Sequence, residues 1–254
     1  MIDTNKNNKQ DHKNNFFAKV GEKVVELIYP EGLYCIVCDS FIDASRTYHI
    51  CDNCINKILW VGEDSCYICG RPLGEEGASL CDDCSMYERH FDRGFTCATY
   101  GLYERKIISD FKKGGRVYLA RILGKIMYDR MALEDVKIDG IISIPIYKDR
   151  LKERGFNQTD LIGKYLSKES GWPLMKDVVS RTRQTESMKK LDKWERKKNM
   201  ENAFKVENKE RVSGKNILVI DDIFTTGATL DECSRVLKEA GALNVYILTF
   251  AAGR

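Results

Sequence analysis

The chain has 254 residues, 43% of them hydrophobic, with only four prolines, so it can bury one good-sized core and still carry a small satellite domain. Its formal net charge of +3 hides a split: residues 1–90 hold nine Lys and Arg against fifteen Asp and Glu (−6), and residues 101–200 hold twenty-four against fourteen (+10). The opening MIDTNKNNKQDHKNN has no apolar stretch resembling a secretory signal and no later run is long enough to cross a bilayer, which argues against secretion or membrane insertion and for the cytoplasm.

In chain order, residues 1–15 read as a polar leader without fixed structure. Residues 16–29 place Phe17, Val20, Val24, Leu27 and Ile28 at a helical period and predict a short amphipathic helix, which closes a first segment at residue 30. From 31 to 90 the periodicity dissolves into cysteine pairs and turn residues, too little to form a core by apolar burial alone. From 91 to 254 strands and helices alternate. Two helical patterns split at Gly114 and Gly115, then DGIISIPI reads as a buried strand. Asn157 to Ser170 is helical by period, DVVSR is a short strand, and 182–200 is a charged stretch with little apolar content. NILVIDD and NVYILTFAA read as buried strands around the helix TLDECSRVLKEAGA. Strands joined by helices give an α/β fold with a parallel sheet and helices on both faces.

Four Cys-x-x-Cys pairs occur in order: Cys35/Cys38, Cys51/Cys54, Cys66/Cys69 and Cys81/Cys84. Such a pair fits a tight knuckle with both sulfurs facing one metal, and two knuckles complete a tetrahedral zinc site. An iron–sulfur cluster or redox dithiols are the competing uses, and four evenly doubled pairs suit them less. Sequential quartets (35, 38, 51, 54 and 66, 69, 81, 84) are expected, with a cross-braced pairing as the alternative. Closed four-thiolate sites are structural. His49 reads as a surface histidine rather than a ligand, and Cys97 and Cys233 as buried small side chains rather than nucleophiles.

The string ILVIDDIFTTGAT, residues 217–229, carries the chemistry: an apolar strand, two acids at its end, a Thr/Gly loop and a helix start. Ligands of parallel α/β sheets bind beyond the carboxyl ends of the strands, where Asp221 and Asp222 emerge. Their carboxylates can accept hydrogen bonds from adjacent sugar hydroxyls or sit near a magnesium ion. Thr225, Thr226, Gly227, Ala228 and Thr229 offer hydroxyls and closely spaced amides at a helix N-terminus, which make a phosphate cradle.

As one continuous string this resembles the phosphoribosyl-diphosphate (PRPP) motif of type I phosphoribosyltransferases. The resemblance implies that Asp221 and Asp222 hold the ribose hydroxyls and residues 225–229 the 5′ phosphate. It further implies that Pro145, Ile146, Tyr147, Lys148 and Arg150, directly after the strand 140–144, form a diphosphate loop, with Arg154 adding charge. Residues from Arg181 to Asn199 stand where that family has a mobile flap. Catalysis would pass through an oxocarbenium-like state, with the leaving diphosphate stabilised by magnesium and basic groups; no side chain stands out as a general base.

The order of parts is that of the ComF family of competence proteins, which this chain resembles over about residues 30–252: cysteine pairs, then RGFNQ at 154–158, an Arg-Thr-rich segment with Arg196 and Asn199 before Ala203-Phe204, and the PRPP string. One departure is Met188, where the family often has Gln. The resemblance implies a double zinc ribbon (31–90) fused to a phosphoribosyltransferase-like domain (91–254), and handling of single-stranded DNA during natural transformation. Arg154, Asn157, Gln158, Arg181, Arg183, Arg196 and Asn199 are then flap or nucleic-acid candidates. The implied ligands are two structural Zn2+, Mg2+ with PRPP or a nucleotide, and single-stranded DNA; a helicase-like ATPase of the competence machinery is a further candidate partner through the zinc module. A small-molecule phosphoribosyltransferase and a non-catalytic PRPP-sensing regulator remain the alternatives. No Cys precedes Cys35, so the N-terminal cysteine nucleophile of glutamine-dependent amidophosphoribosyltransferases is not expected.

Overall fold

A computed structural model describes residues 32–74, 78–113, 115–185 and 191–253, so the expected leader and the helix at 16–29 lie outside the described residues, as does Met188. The chain divides into two compact units, 1–52 and 53–254. The described part of the first unit is a turn-rich segment in which Tyr34 and Phe41 form an isolated antiparallel bridge and pack edge to face at 6.0 Å.

The second unit is built on a four-stranded, all-parallel sheet in the order β1 (Arg93–Thr99), β6 (Asn244–Ala252), β5 (Asn216–Phe224), β2 (Gly140–Ser143). The two central strands are near-continuous apolar runs because both of their faces are covered. Side chains alternate across a strand, so Ile217, Val219, Val245 and Ile247 share one face. There they join Leu230, Cys233 and Leu237 of α8 (Ala228–Glu239) in one buried cluster, which also takes in the second cysteine quartet. The helices α4 (Leu119–Met131) and α6 (Gln158–Ser170) pack on each other and on the sheet, with Gly163 of α6 beside Ile220 of the opposite face.

Both sheet edges are covered, which removes templates for unwanted pairing. Along β1, Val61 N–H donates to Cys97 O (2.9 Å) and Thr99 N–H to Leu59 O (2.8 Å). Along β2, Ile141 N–H donates to Pro173 O (2.9 Å) and Met175 N–H to Ile141 O (2.8 Å). The edge strand β1 itself has no counterpart among the elements read from sequence. The DVVSR strand appears as β3 (Val179–Arg181), but it pairs antiparallel with β4 (Phe204–Val206) in a separate ribbon. Between them, the stretch read as charged with little apolar content contains α7 (Lys193–Met200), opened by a reciprocal capping box between Asp192 and Glu195. No described helix is long and apolar enough to cross a membrane.

Candidate functional site

The cysteines gather in two sequential quartets, Cys35/Cys38/Cys51/Cys54 and Cys66/Cys69/Cys81/Cys84, with the sulfurs of each set within 4.8 Å of one another. Zn–S bonds of about 2.3 Å in a tetrahedron set sulfurs about 3.8 Å apart. Cys38 and Cys51 lie at 3.7 Å and Cys69 and Cys81 at 3.6 Å, so the donor sets fit zinc. The first quartet is partly open, with Cys38 exposed, and the second is buried throughout. His49 stands outside both quartets and supplies its carbonyl to Ile36 N–H at 3.0 Å. Cys97 and Cys233 are buried in the sheet unit; burial pushes the Cys97 thiol up to about 12 and the Cys233 thiol higher, which keeps both protonated and unreactive.

At the carboxyl end of β5 the two acids diverge in environment. Asp222 is buried and ion-paired with Lys112 at 2.5 Å, reached from the end of α3 (Leu102–Lys113). Asp221 is half-buried and accepts the Asp222 N–H at 2.8 Å. Burial first, then the Asp222 carboxylate, pushes the Asp221 carboxyl up to about 7, against the opposing charges of Lys112 and Arg181.

Just beyond, residues 225–227 turn the chain into α8. Gly227 holds φ +79° at the helix N-cap, and a Cβ there would meet Phe224 Cζ at 2.5 Å, so only glycine fits. The first backbone bond onto α8 is Asp231 N–H to Gly227 O (2.8 Å), which leaves the preceding amides without intrahelical acceptors. Asp221 and residues 223–230 together line a small recess open to solvent.

Of the diphosphate-loop residues, Pro145, Ile146 and Tyr147 form the loop after β2, while Lys148 and Arg150 already belong to a short helix, α5 (Lys148–Arg154). Arg150 and Asp221 both act on the charge of Arg181, whose guanidinium is held below its usual range by burial and then by Arg150. Arg181 donates to Thr185 Oγ1, and its buried Nε has no partner among the described residues.

Other candidates hold the backbone. Asn157 is buried and donates to Ile144 O (3.1 Å), and Thr159 donates to the same carbonyl (2.8 Å), so the RGFNQ segment pins the loop leaving β2. Arg154 donates to Gln158 Oε1 (2.9 Å). Arg183 donates to the carbonyls of Glu201 (2.7 Å) and Asn199 (3.1 Å), and Arg196 to Leu191 O (3.0 Å). Three residues at the site were given no such role from sequence. Lys112 carries no local signal beyond a basic residue before Gly114, and its role comes from the ion pair with Asp222. Arg71 and Arg89 donate to Thr225 O and Thr226 O, and their one local signal is that both stand within five residues of a ligand cysteine.

Residues 24–85 match the double zinc ribbon domain family and residues 171–254 the phosphoribosyl transferase domain family. The chain is 30% identical to the DNA utilization protein YhgH of Shigella flexneri over 203 residues, 78% of this chain and 88% of that one. It is 27% identical to competence protein F of Haemophilus influenzae (84% and 94% covered) and 29% identical to competence protein ComFC of Bacillus subtilis (82% and 90%). The chain belongs to the ComF family. Its architecture is the ComF combination of zinc ribbon and parallel-sheet phosphoribosyltransferase fold, and the loop at 225–227 falls inside the matched transferase segment.

Proposed function

We propose that this ComF protein binds PRPP, or a related phosphoribosyl ligand, together with single-stranded DNA, and serves the uptake or processing of incoming DNA in natural transformation. The observation that carries the reading is the recess beyond β5, where Asp221 faces the glycine-hinged loop and Arg181, whose Nε has no partner among the described residues, lies in the same electrostatic neighbourhood. In this reading the amides of the loop take the 5′ phosphate, Asp221 takes the ribose hydroxyls, and Lys148, Arg150 and Arg181 face the diphosphate. Asp221, the acid that lines the recess, would sit near Mg2+, which when bound neutralises charge on the diphosphate oxygens. The names of the relatives, competence protein and DNA utilization protein, support the role in transformation. Single-stranded DNA is supported by the +10 balance of residues 101–200 and by Trp194, 70% exposed on α7 with Lys198 Nζ 5.5 Å from its ring centre.

The test is calorimetric titration of PRPP with Mg2+ into wild type and into the Asp221→Asn/Asp222→Asn protein, beside salt-dependent binding of a labelled single strand. Saturable PRPP binding lost in the double variant supports the ligand assignment, and equal binding by both proteins refutes it. A second reading, turnover with a small acceptor, is favoured by the Asp221 carboxyl at about 7, poised to exchange protons near neutrality. Diphosphate release from PRPP on adding a nucleobase or amine tests that reading.

A further inference from the structure

The second cysteine quartet is tied to the phosphate loop by two arginines. Arg71 follows Cys69-Gly70 and donates to Thr225 O; Arg89 follows Cys84 by five residues and donates to Thr226 O at 3.2 Å. Both guanidiniums converge on Asp83, a residue of the same knuckle, at 3.5 and 3.9 Å. Arg71 lies 5.5 Å from the ring centre of Phe224, and Phe91 packs edge-on against that ring at 6.5 Å. His90 N–H donates to Asp231 Oδ1 (2.8 Å) in the first turn of α8. The knuckle is itself fixed to the sheet. Gly94 N–H donates to Ile68 O at 2.6 Å, and a Cβ on Gly70 would lie 2.5 Å from Gly94 O.

The consequence follows from peptide geometry. In a planar trans peptide the C=O and the next N–H point in opposite directions, and the described chain has no cis bond. Drawing the Thr225 and Thr226 carbonyls toward the arginines therefore turns the Thr226 and Gly227 amides away from them. These amides precede the first backbone bond onto α8, and they belong to the residues that line the recess. A loop whose carbonyls are released is free to flip these peptides and lose the anion cradle.

We infer that Arg71 and Arg89 are positioning residues through which the metal-held Cys66/Cys69/Cys81/Cys84 knuckle sets the amides of the phosphate loop, so that the state of this thiolate site controls affinity for the phosphoribosyl ligand. The inference rests on the phosphoribosyl reading for the ligand, but not for the mechanical link. A four-thiolate site with no open ligand position thereby acquires a second use beyond folding the ribbon.

The experiment compares full-length wild type, Arg71→Gln, Arg89→Gln and the double variant, each with zinc content measured. Amide hydrogen exchange is followed for the 222–232 segment and for β6, with PRPP·Mg2+ affinity measured in parallel. With both zinc ions retained, each single variant is expected to speed exchange in 222–232 while leaving β6 unchanged, and to weaken PRPP about tenfold, the equivalent of one charge-assisted hydrogen bond. Stripping zinc with a chelator should loosen the loop strongly in wild type and little further in the double variant, because the link is already cut. Unchanged loop exchange in the zinc-replete variants overturns the inference. So does an equal further loosening of the double variant on chelation. If wild type binds no PRPP while loop exchange still answers to the arginines, the link stands and the ligand assignment falls.

Discussion

Asp221→Asn is expected to stabilise the protein while removing its ligand. The carboxyl rises from its ordinary 3.8 to about 7, because burial and the neighbouring Asp222 carboxylate disfavour its charged form. A group raised in this way costs nothing below about pH 4, where folded and unfolded states are both protonated. The cost grows between about pH 4 and 7 as only the unfolded chain ionises, and it is constant above. At about 1.4 kcal/mol per pH unit the ceiling is about 4 kcal/mol at neutral pH. Asp221 is only partly buried, so solvent and the opposing charges of Lys112 and Arg181 keep the gain well below that ceiling, at about 1–2 kcal/mol. Asparagine keeps an oxygen for the Asp222 N–H, so the substitution removes the charge and little else. For a unit of about 200 residues the gain is a rise of about 3–6 °C in Tm. Thermal unfolding of both proteins at about pH 5.5 and pH 8 checks it, with the gap wider at the higher pH. A variant no more stable than wild type at pH 8, or a gap that ignores pH, would refute the assignment of Asp221 as a strained, function-retained carboxylate.

Gly227→Ala forces a Cβ to 2.5 Å from the Phe224 ring at φ +79°; Tm should fall by several degrees and PRPP affinity at least about tenfold, read by the same melting and titration. Lys112→Met leaves the buried Asp222 without its partly exposed partner and should cost about 1–3 kcal/mol in denaturant unfolding. It should also move the midpoint of the pH dependence of PRPP binding upward, since Lys112 is the first of the groups holding the Asp221 carboxyl down. Metal analysis should find two zinc ions per chain, with Cys51→Ser and Cys81→Ser each reducing the count to one. Asn157→Ala removes one of two donors to Ile144 O and should weaken PRPP several-fold through the loop at 145–147, with a smaller effect on Tm than Gly227→Ala.

Elements that announce themselves by local chemistry were legible. The quartets follow from Cys-x-x-Cys spacing, and the strand–acid–glycine–helix order of 217–229 reads directly as β5, the αL turn and α8. The β1 strand was missed because RGFTCAT lacks alternation; it is buried from both sides by contacts remote in sequence, with 59–61 sealing its edge. Helix α7 was missed although its D-x-x-E box was present at Asp192 and Glu195, since a run of Lys, Arg and Glu offers little apolar periodicity. Within the RGFNQ segment the sequence offers Arg154, Asn157 and Gln158 as flap or nucleic-acid candidates, and in the structure Asn157 donates to a backbone carbonyl. A polar side chain cannot be assigned between ligand and carbonyl before the carbonyl's position is known.

The arginines show the same limit more sharply. Arg71 and Arg89 sit 154 and 137 residues from the carbonyls they hold, so no window along the chain contains both donor and acceptor. What the sequence offers is their place beside ligand cysteines, where a basic residue most simply offsets thiolate charge. The fold gives that position a second geometry. The knuckle is locked to the start of β1, and β1 lies beside β6, which in turn pairs with β5, so the metal site and the loop after β5 belong to one hydrogen-bonded frame. In such a frame the zinc cannot be a remote staple. Loosening the knuckle frees the two guanidiniums, and the first backbone groups to lose their partners are the carbonyls of Thr225 and Thr226.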